Sequence, residues 1–130
     1  AGYYLGGTPT LPGMFVALAP ARVLDTRTSG KITSGTAVTL PILNKGGIPA
    51  TGVSAIVVNT TVTDTTAAGF LTVYPGTSAL PTASNLNWVA GSTIPNLVTV
   101  QTGTDGTIKF HNGSGGTTQI IADTAGYYLS

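Results

Sequence analysis

The sequence predicts an all-β fold: an antiparallel β-sandwich, jelly-roll-like, of about nine or ten short strands. Three observations carry that prediction. Charged residues make up only 7% of the chain and hydrophobic ones 42%, against roughly 25% charged in ordinary soluble domains. Threonine fills much of the gap, and Thr, Val and Ile branch at Cβ, which disfavours helix and suits a pleated, half-buried surface. Gly 18 and Pro 8 then cut the chain into short runs joined by tight turns. No segment shows a 3.6-residue hydrophobic period. With 130 residues the chain has room for one two-layer core.

The elements follow in order. Residues 14–18 (MFVAL) and 21–26 (ARVLDT) read as two short strands split by Pro20, and residues 28–35 as a loop. Residues 36–43 (TAVTLPIL) form a strand that Pro41 demotes to an edge or a bulge. After the loop 44–52 comes the clearest strand, residues 53–63 (VSAIVVNTTVT), with Ile56, Val58 and Val62 on one face and Val57 on the other. Residues 70–74 (FLTVY) are closed by Pro75-Gly76, and residues 83–89 (ASNLNWV) alternate Leu86 and Trp88 against Asn85 and Asn87. Residues 97–102 and 107–112 flank Gly103-Thr104-Asp105-Gly106, which predicts a hairpin. Residues 119–128 form the last strand.

The two ends match. Ala1-Gly2-Tyr3-Tyr4-Leu5 recurs as Ala125-Gly126-Tyr127-Tyr128-Leu129. Two tyrosines in a five-residue identity make chance a poor explanation, and a tandem array is the natural one. Residues 1–5 are then the last strand of a preceding copy, residues 6–13 (GGTPTLPG) a connector stiffened by Pro9 and Pro12, and residues 14–130 the sandwich domain. A second reading makes residues 1–5 a linking strand, in which Tyr3, Tyr4 and Leu5 imitate Tyr127, Tyr128 and Leu129 in a neighbour's sheet. Either way the expected partners are copies of the chain itself.

Arg22, Arg27, Lys31, Lys45 and Lys109 against Asp25, Asp64, Asp105 and Asp123 leave a net charge of +1. They are scattered, so no basic stripe predicts nucleic acid as a partner. There are no cysteines, hence no disulfides or thiolate metal sites. No apolar run approaches the ~20 residues needed to span a bilayer as a helix, so membrane insertion is not expected. No charged n-region with an apolar h-region opens the chain, which reads as a mature or excised piece of something longer.

Five stretches occur in order: PARVLDTR (20–27), GVSAIVVNTTVTDTTAAGFLTVYP (52–75), ASNLNW (83–88), IPNLVTV (94–100) and IADTAGYY (121–128). Together they resemble the tandem β-rich repeat domains of secreted and cell-wall proteins of actinobacteria and related Gram-positive bacteria. The resemblance covers nearly the whole chain. It implies export to the cell surface or medium and tandem arrangement, and it carries over no catalytic or ligand site.

The residues offer little catalytic chemistry. The one histidine, His111, ends a strand in KFHNG, and no Ser lies in a G-x-S-x-G nucleophile elbow. All four acids are dispersed Asp, a poor basis for the paired carboxylates of a glycosidase. No enzyme, cofactor or metal site is expected; Asp64 and Asp105 lack an oxygen-rich loop for calcium, and Asp105 is better explained by its turn. Arg22, Asp25 and Arg27 crowd one segment, with Asp25 and Arg27 predicted on one face and Arg22 on the other. Asp25 and Arg27 read as a structural ion pair, with a site for an acidic or sugar ligand as the alternative. An isopeptide bond from Lys45 or Lys109 to an asparagine is a further idea that the spacing does not support. Trp88 and Tyr74 are the candidate glycan platform, against the simpler reading that Trp88 fills the core. The function expected is a non-catalytic extracellular structural repeat, building a surface stalk or filament from head-to-tail domains. The alternative is a carbohydrate-binding or adhesion module that recognises cell-surface glycans.

Overall fold

Alternation of β-branched and polar residues sets which side of each strand is buried, and the turns decide how the strands stack. The computed structural model describes residues 10–130. Eight strands occur among them: β1 (Phe15–Asp25), β2 (Ala37–Pro41), β3 (Val53–Thr63), β4 (Gly69–Pro75), β5 (Leu86–Trp88), β6 (Ile94–Gln101), β7 (Thr107–Asn112) and β8 (Gln119–Leu129). They form two four-stranded antiparallel sheets, ordered β1-β8-β3-β6 and β2-β7-β4-β5, which is the strand order of a jelly-roll sandwich. No α-helix occurs among the described residues, only one 3-10 turn at Thr26–Thr28.

Ile56, Val58 and Val62 of β3 face the core, where they meet Val98 and Val100 of β6, Ile120 and Ala122 of β8, and, from the other sheet, Leu71, Val73, Leu86, Trp88, Ile108 and Phe110. Val57 points the opposite way from its neighbours Ile56 and Val58, yet is also buried.

Several boundaries differ from the sequence expectation. The two strands expected around Pro20 are one, β1, with irregularities between Ala17 and Ala21 and between Arg22 and Leu24. β1 lies at a sheet edge, where a proline's missing N–H faces outward and costs no ladder bond. That merger brings the nine strand segments named from the sequence to the eight observed. The strand expected at residues 83–89 shrinks to three residues because its first part serves the β4–β5 loop. Thr72 Oγ1 donates to Ala83 C=O (2.7 Å), and Asn85 Oδ1 accepts from Val73 N–H (2.8 Å).

The hairpin expected at residues 103–106 is the clearest correction. The turn is tight, with Gly106 N–H donating to Gly103 C=O (2.9 Å), and Asp105 Oδ1 accepts from Thr107 N–H and Oγ1 (3.1 and 2.7 Å). But β6 pairs with β3, while β7 pairs with β2 and β4. The turn carries the chain from one sheet to the other. Val98 and Val100 before it and Ile108 and Phe110 after it must all reach the same core, and a hairpin would place them in a single sheet. Only β4 and β5 are consecutive in sequence and also neighbours in a sheet.

The edges of the two sheets are β1, β6, β2 and β5. Pro20, Pro95 and Pro41 stand in the first three, and β5 has only three residues. Each edge is thus a poor template for another strand.

Threonine also enters the core. Thr60 lies between Val58 and Val62 on the inward face of β3, wholly buried, and its Oγ1 meets no hydrogen-bond partner among the described residues. Replacing an unpartnered buried hydroxyl by a methyl of the same shape removes a desolvation cost. Thr60→Val is expected to stabilise the domain by about 1 kcal/mol in urea unfolding, and a loss of similar size would show that the hydroxyl is satisfied.

Candidate functional site

Strand register fixes two poles. Phe15 pairs with Tyr128 and Val53 with Leu129 at one pole, and Asp25 pairs with Ile121 and Thr63 with Gln119 at the other. The chain enters β1 and leaves β8 at the first pole, where Gly13 N–H donates to Leu129 C=O (2.8 Å) and Leu129 N–H donates to Met14 C=O (3.0 Å).

At the far pole four loops meet, residues 26–36, 64–68, 89–93 and 113–118, and they are tied together in series. Asn112 is fully buried. Its Nδ2 donates to Ile32 C=O and Gly116 C=O (both 3.0 Å), and its Oδ1 accepts from Ser114 N–H (3.0 Å) and Ser114 Oγ (2.7 Å). Ser34 Oγ donates to Ser114 C=O (2.6 Å), which binds the first loop to the last. Thr117 N–H donates to Thr66 Oγ1 (2.8 Å) and Thr66 N–H to Thr117 C=O (3.1 Å). Thr65 Oγ1 donates to Val89 C=O (3.1 Å) and accepts from Ser92 N–H (3.1 Å), and Gly91 N–H donates to Thr65 C=O (2.9 Å). The result is a hydroxyl-rich rim tied by the buried Asn112, Ser114 and Thr65 and by the pair of exposed Thr66 and half-buried Thr117, a pre-ordered surface.

Beside this rim lies a cluster of four charged side chains. Asp25 ends β1, and its Oδ1 accepts from Arg27 N–H (3.1 Å), capping the 3-10 turn. The Arg27 guanidinium grips the same carboxylate in a fork, Nε to Oδ1 and NH2 to Oδ2 at 2.9 Å each. Arg22 comes to the same side, contrary to the expected alternation. Its Nε donates to Asp123 Oδ1 (2.9 Å) and its NH1 lies 3.7 Å from Asp25 Oδ2. The register shift between Arg22 and Leu24 explains the change of face. Asp123, opposite Arg22 on β8, belongs to this cluster; strand alternation places it on the outer face, but nothing local points to Arg22, 101 residues away, as its partner. The arginines are about half exposed (51% and 48%), so the cluster is a solvated ion network.

The aromatic candidates separate. Trp88 is 5% exposed and sits in the core, its Nε1 donating to Ala67 C=O (2.8 Å). Tyr74 is 7% exposed. Both side chains are buried, in line with the simpler reading that Trp88 fills the core, and neither offers a ring face as a glycan platform. Tyr3, Tyr4 and Leu5 lie outside the described residues. Tyr127 packs against the core from its edge, and Tyr128 lies on the outer face with its ring centroid 5.2 Å from that of Phe15. A Cβ at residue 126 would collide with the Phe15 ring, so the glycine of the repeated pentapeptide makes the seat for an aromatic of β1.

His111 Nδ1 is buried and meets no hydrogen-bond partner among the described residues. Among the described residues no three His, Cys, Asp or Glu side chains gather as metal ligands would. The chain matches no protein-family model and no curated protein.

The side-chain hydrogen bonds from Arg27 hold the Asp25 carboxyl at about 2, below its ordinary 3.8, against a smaller opposing effect of desolvation. A depressed carboxyl stabilises the fold fully above its unfolded value and loses that contribution as pH falls through the folded value. Stability should therefore decline between about pH 4 and pH 2, more steeply than in Asp25→Asn. Thermal midpoints over that range check this, and parallel curves for the two proteins would contradict it.

Proposed function

We propose that this chain is a non-catalytic repeat of an extracellular structural array, in which copies of the domain follow one another along one polypeptide. The pentapeptide recurrence carries the proposal: residues 125–129 end β8, and the same five residues recur at positions 1–5, as copies that follow one another along one polypeptide would give. The resemblance to tandem repeats of secreted and cell-wall proteins points the same way. So does a domain whose loops are braced by hydroxyls and amides and whose sequence holds no cysteine.

Two other readings are weaker. A non-covalent polymer built by strand exchange needs a vacant place for residues 1–5 in a neighbour. Residues 125–129 already fill that place, with β1 paired on one side and β3 on the other, and the four sheet edges are guarded. A carbohydrate-binding module needs an exposed aromatic platform, and both Trp88 and Tyr74 are buried. Glycan contact through the hydroxyl-rich rim stays a secondary reading without an aromatic anchor.

Static light scattering and negative-stain electron microscopy over a concentration series test the proposal. Monomers at every concentration are expected. Regular fibres with one domain per repeat would replace the covalent array with a strand-exchange polymer.

A further inference from the structure

We infer that consecutive copies are joined at one shared pole, so that the array advances by the length of its connector and not by the length of the sandwich. The inference rests on the tandem reading above and concerns the shape of what that reading builds. An end-to-end stalk requires each domain to be entered at one pole and left at the other. Here the two points are hydrogen-bonded neighbours, Gly13 to Leu129 and Leu129 to Met14.

Magnitudes decide the geometry. Between Leu5, the counterpart of Leu129, and Met14 lie only residues 6–13. At up to ~3.6 Å per residue this link spans at most about 30 Å. β3 alone has 11 residues, about 37 Å at ~3.4 Å per residue. The domain is longer than its link, and leaving it returns the chain to where it entered. Each added copy therefore advances the array by about 30 Å or less, with sandwiches side by side or fanned from a common line. Every copy then turns its braced rim of four loops away from the junction.

The junction also exposes two apolar side chains. Leu11 is 65% exposed and Met14 41% exposed. A turn holds both, with Met14 N–H donating to Leu11 C=O (3.2 Å). They stand in the last part of the connector and at its end, so the surface nearest to them in an array belongs to the copy that the connector has just left. The preceding copy is the occupant this geometry assigns, and its contact with Leu11 and Met14 fixes the angle between neighbours.

Chains of two and of three copies, joined through residues 6–13, test this by small-angle X-ray scattering. The maximum dimension is expected to grow by about 30 Å or less from two copies to three. Growth by about 40 Å or more, with each copy melting as the single chain does, would overturn the shared-pole inference and leave the tandem reading standing. Copies that cannot fold in tandem would overturn both. Leu11→Ser with Met14→Ser at the junction of the two-copy chain is expected to broaden the interdomain distance distribution without changing the melting of either copy. An unaltered distribution would overturn the junction contact.

Discussion

The Asn112 carboxamide is the joint on which the far pole depends. A buried primary amide has two donors and an acceptor oxygen with two lone pairs, and burial makes any unused group costly. Asn112 uses all of them, on Ile32, Gly116 and Ser114. Its own backbone is equally committed: the N–H donates to Thr36 C=O and the C=O accepts from Gly35 N–H. One residue at the end of β7 therefore sets the path of the β1–β2 loop and of the β7–β8 loop together. Because Ser34, Thr66 and Thr65 continue the series, the position of each loop constrains the next.

The same device recurs wherever loops meet sheets. Thr26 is buried between Gln119, whose Oε1 accepts from its hydroxyl (2.6 Å), and Ile120, whose N–H donates to it (2.8 Å). Thr124 Oγ1, also buried, donates to Gly46 C=O (2.7 Å) and ties β8 to the β2–β3 loop. These bonds join residues far apart in sequence, which is the topological work that disulfides do in many small extracellular domains. Threonine suits the task, since its methyl packs in an apolar strand environment while its hydroxyl reaches a carbonyl. The high threonine and low charge of the composition are thus two sides of one structural solution.

The sheets were legible in the sequence, and the bracing was not. β3 and β7 begin and end where the alternation and turn residues placed them, because a half-buried strand writes its period into consecutive residues. Pro41 marks an edge correctly, whereas Pro20 reads only as a break, since a single sequence does not say that an edge strand can pass through it by bulging. The turn at residues 103–106 has the local chemistry of a hairpin; which sheet receives the next strand is decided by core packing some distance away. Asn112 shows in the sequence only as the last residue of a strand, because nothing local reveals that its side chain will be enclosed by residues near position 32. Arg22 and Asp25 share a face only through a register shift that the sequence pattern does not show. In the sequence the repeated pentapeptide stands out by its tyrosines, whereas the informative residue in space is Gly126, on which Phe15 rests.

The sandwich begins β1 and ends β8 at one pole and ties its four loops together at the other. The constraint at the far pole is the central physical claim, and amide hydrogen exchange of the native chain and of Asn112→Ala tests it most directly. The predicted result is slow exchange in the native rim at Ser114, Thr66, Gly91 and Thr117. In the variant, protection should be lost across these residues together while the β3–β8 ladder stays protected. Loss confined to Ser114, or a rim that exchanges as fast in the native chain as in the variant, would contradict the claim that one buried amide organises the four loops.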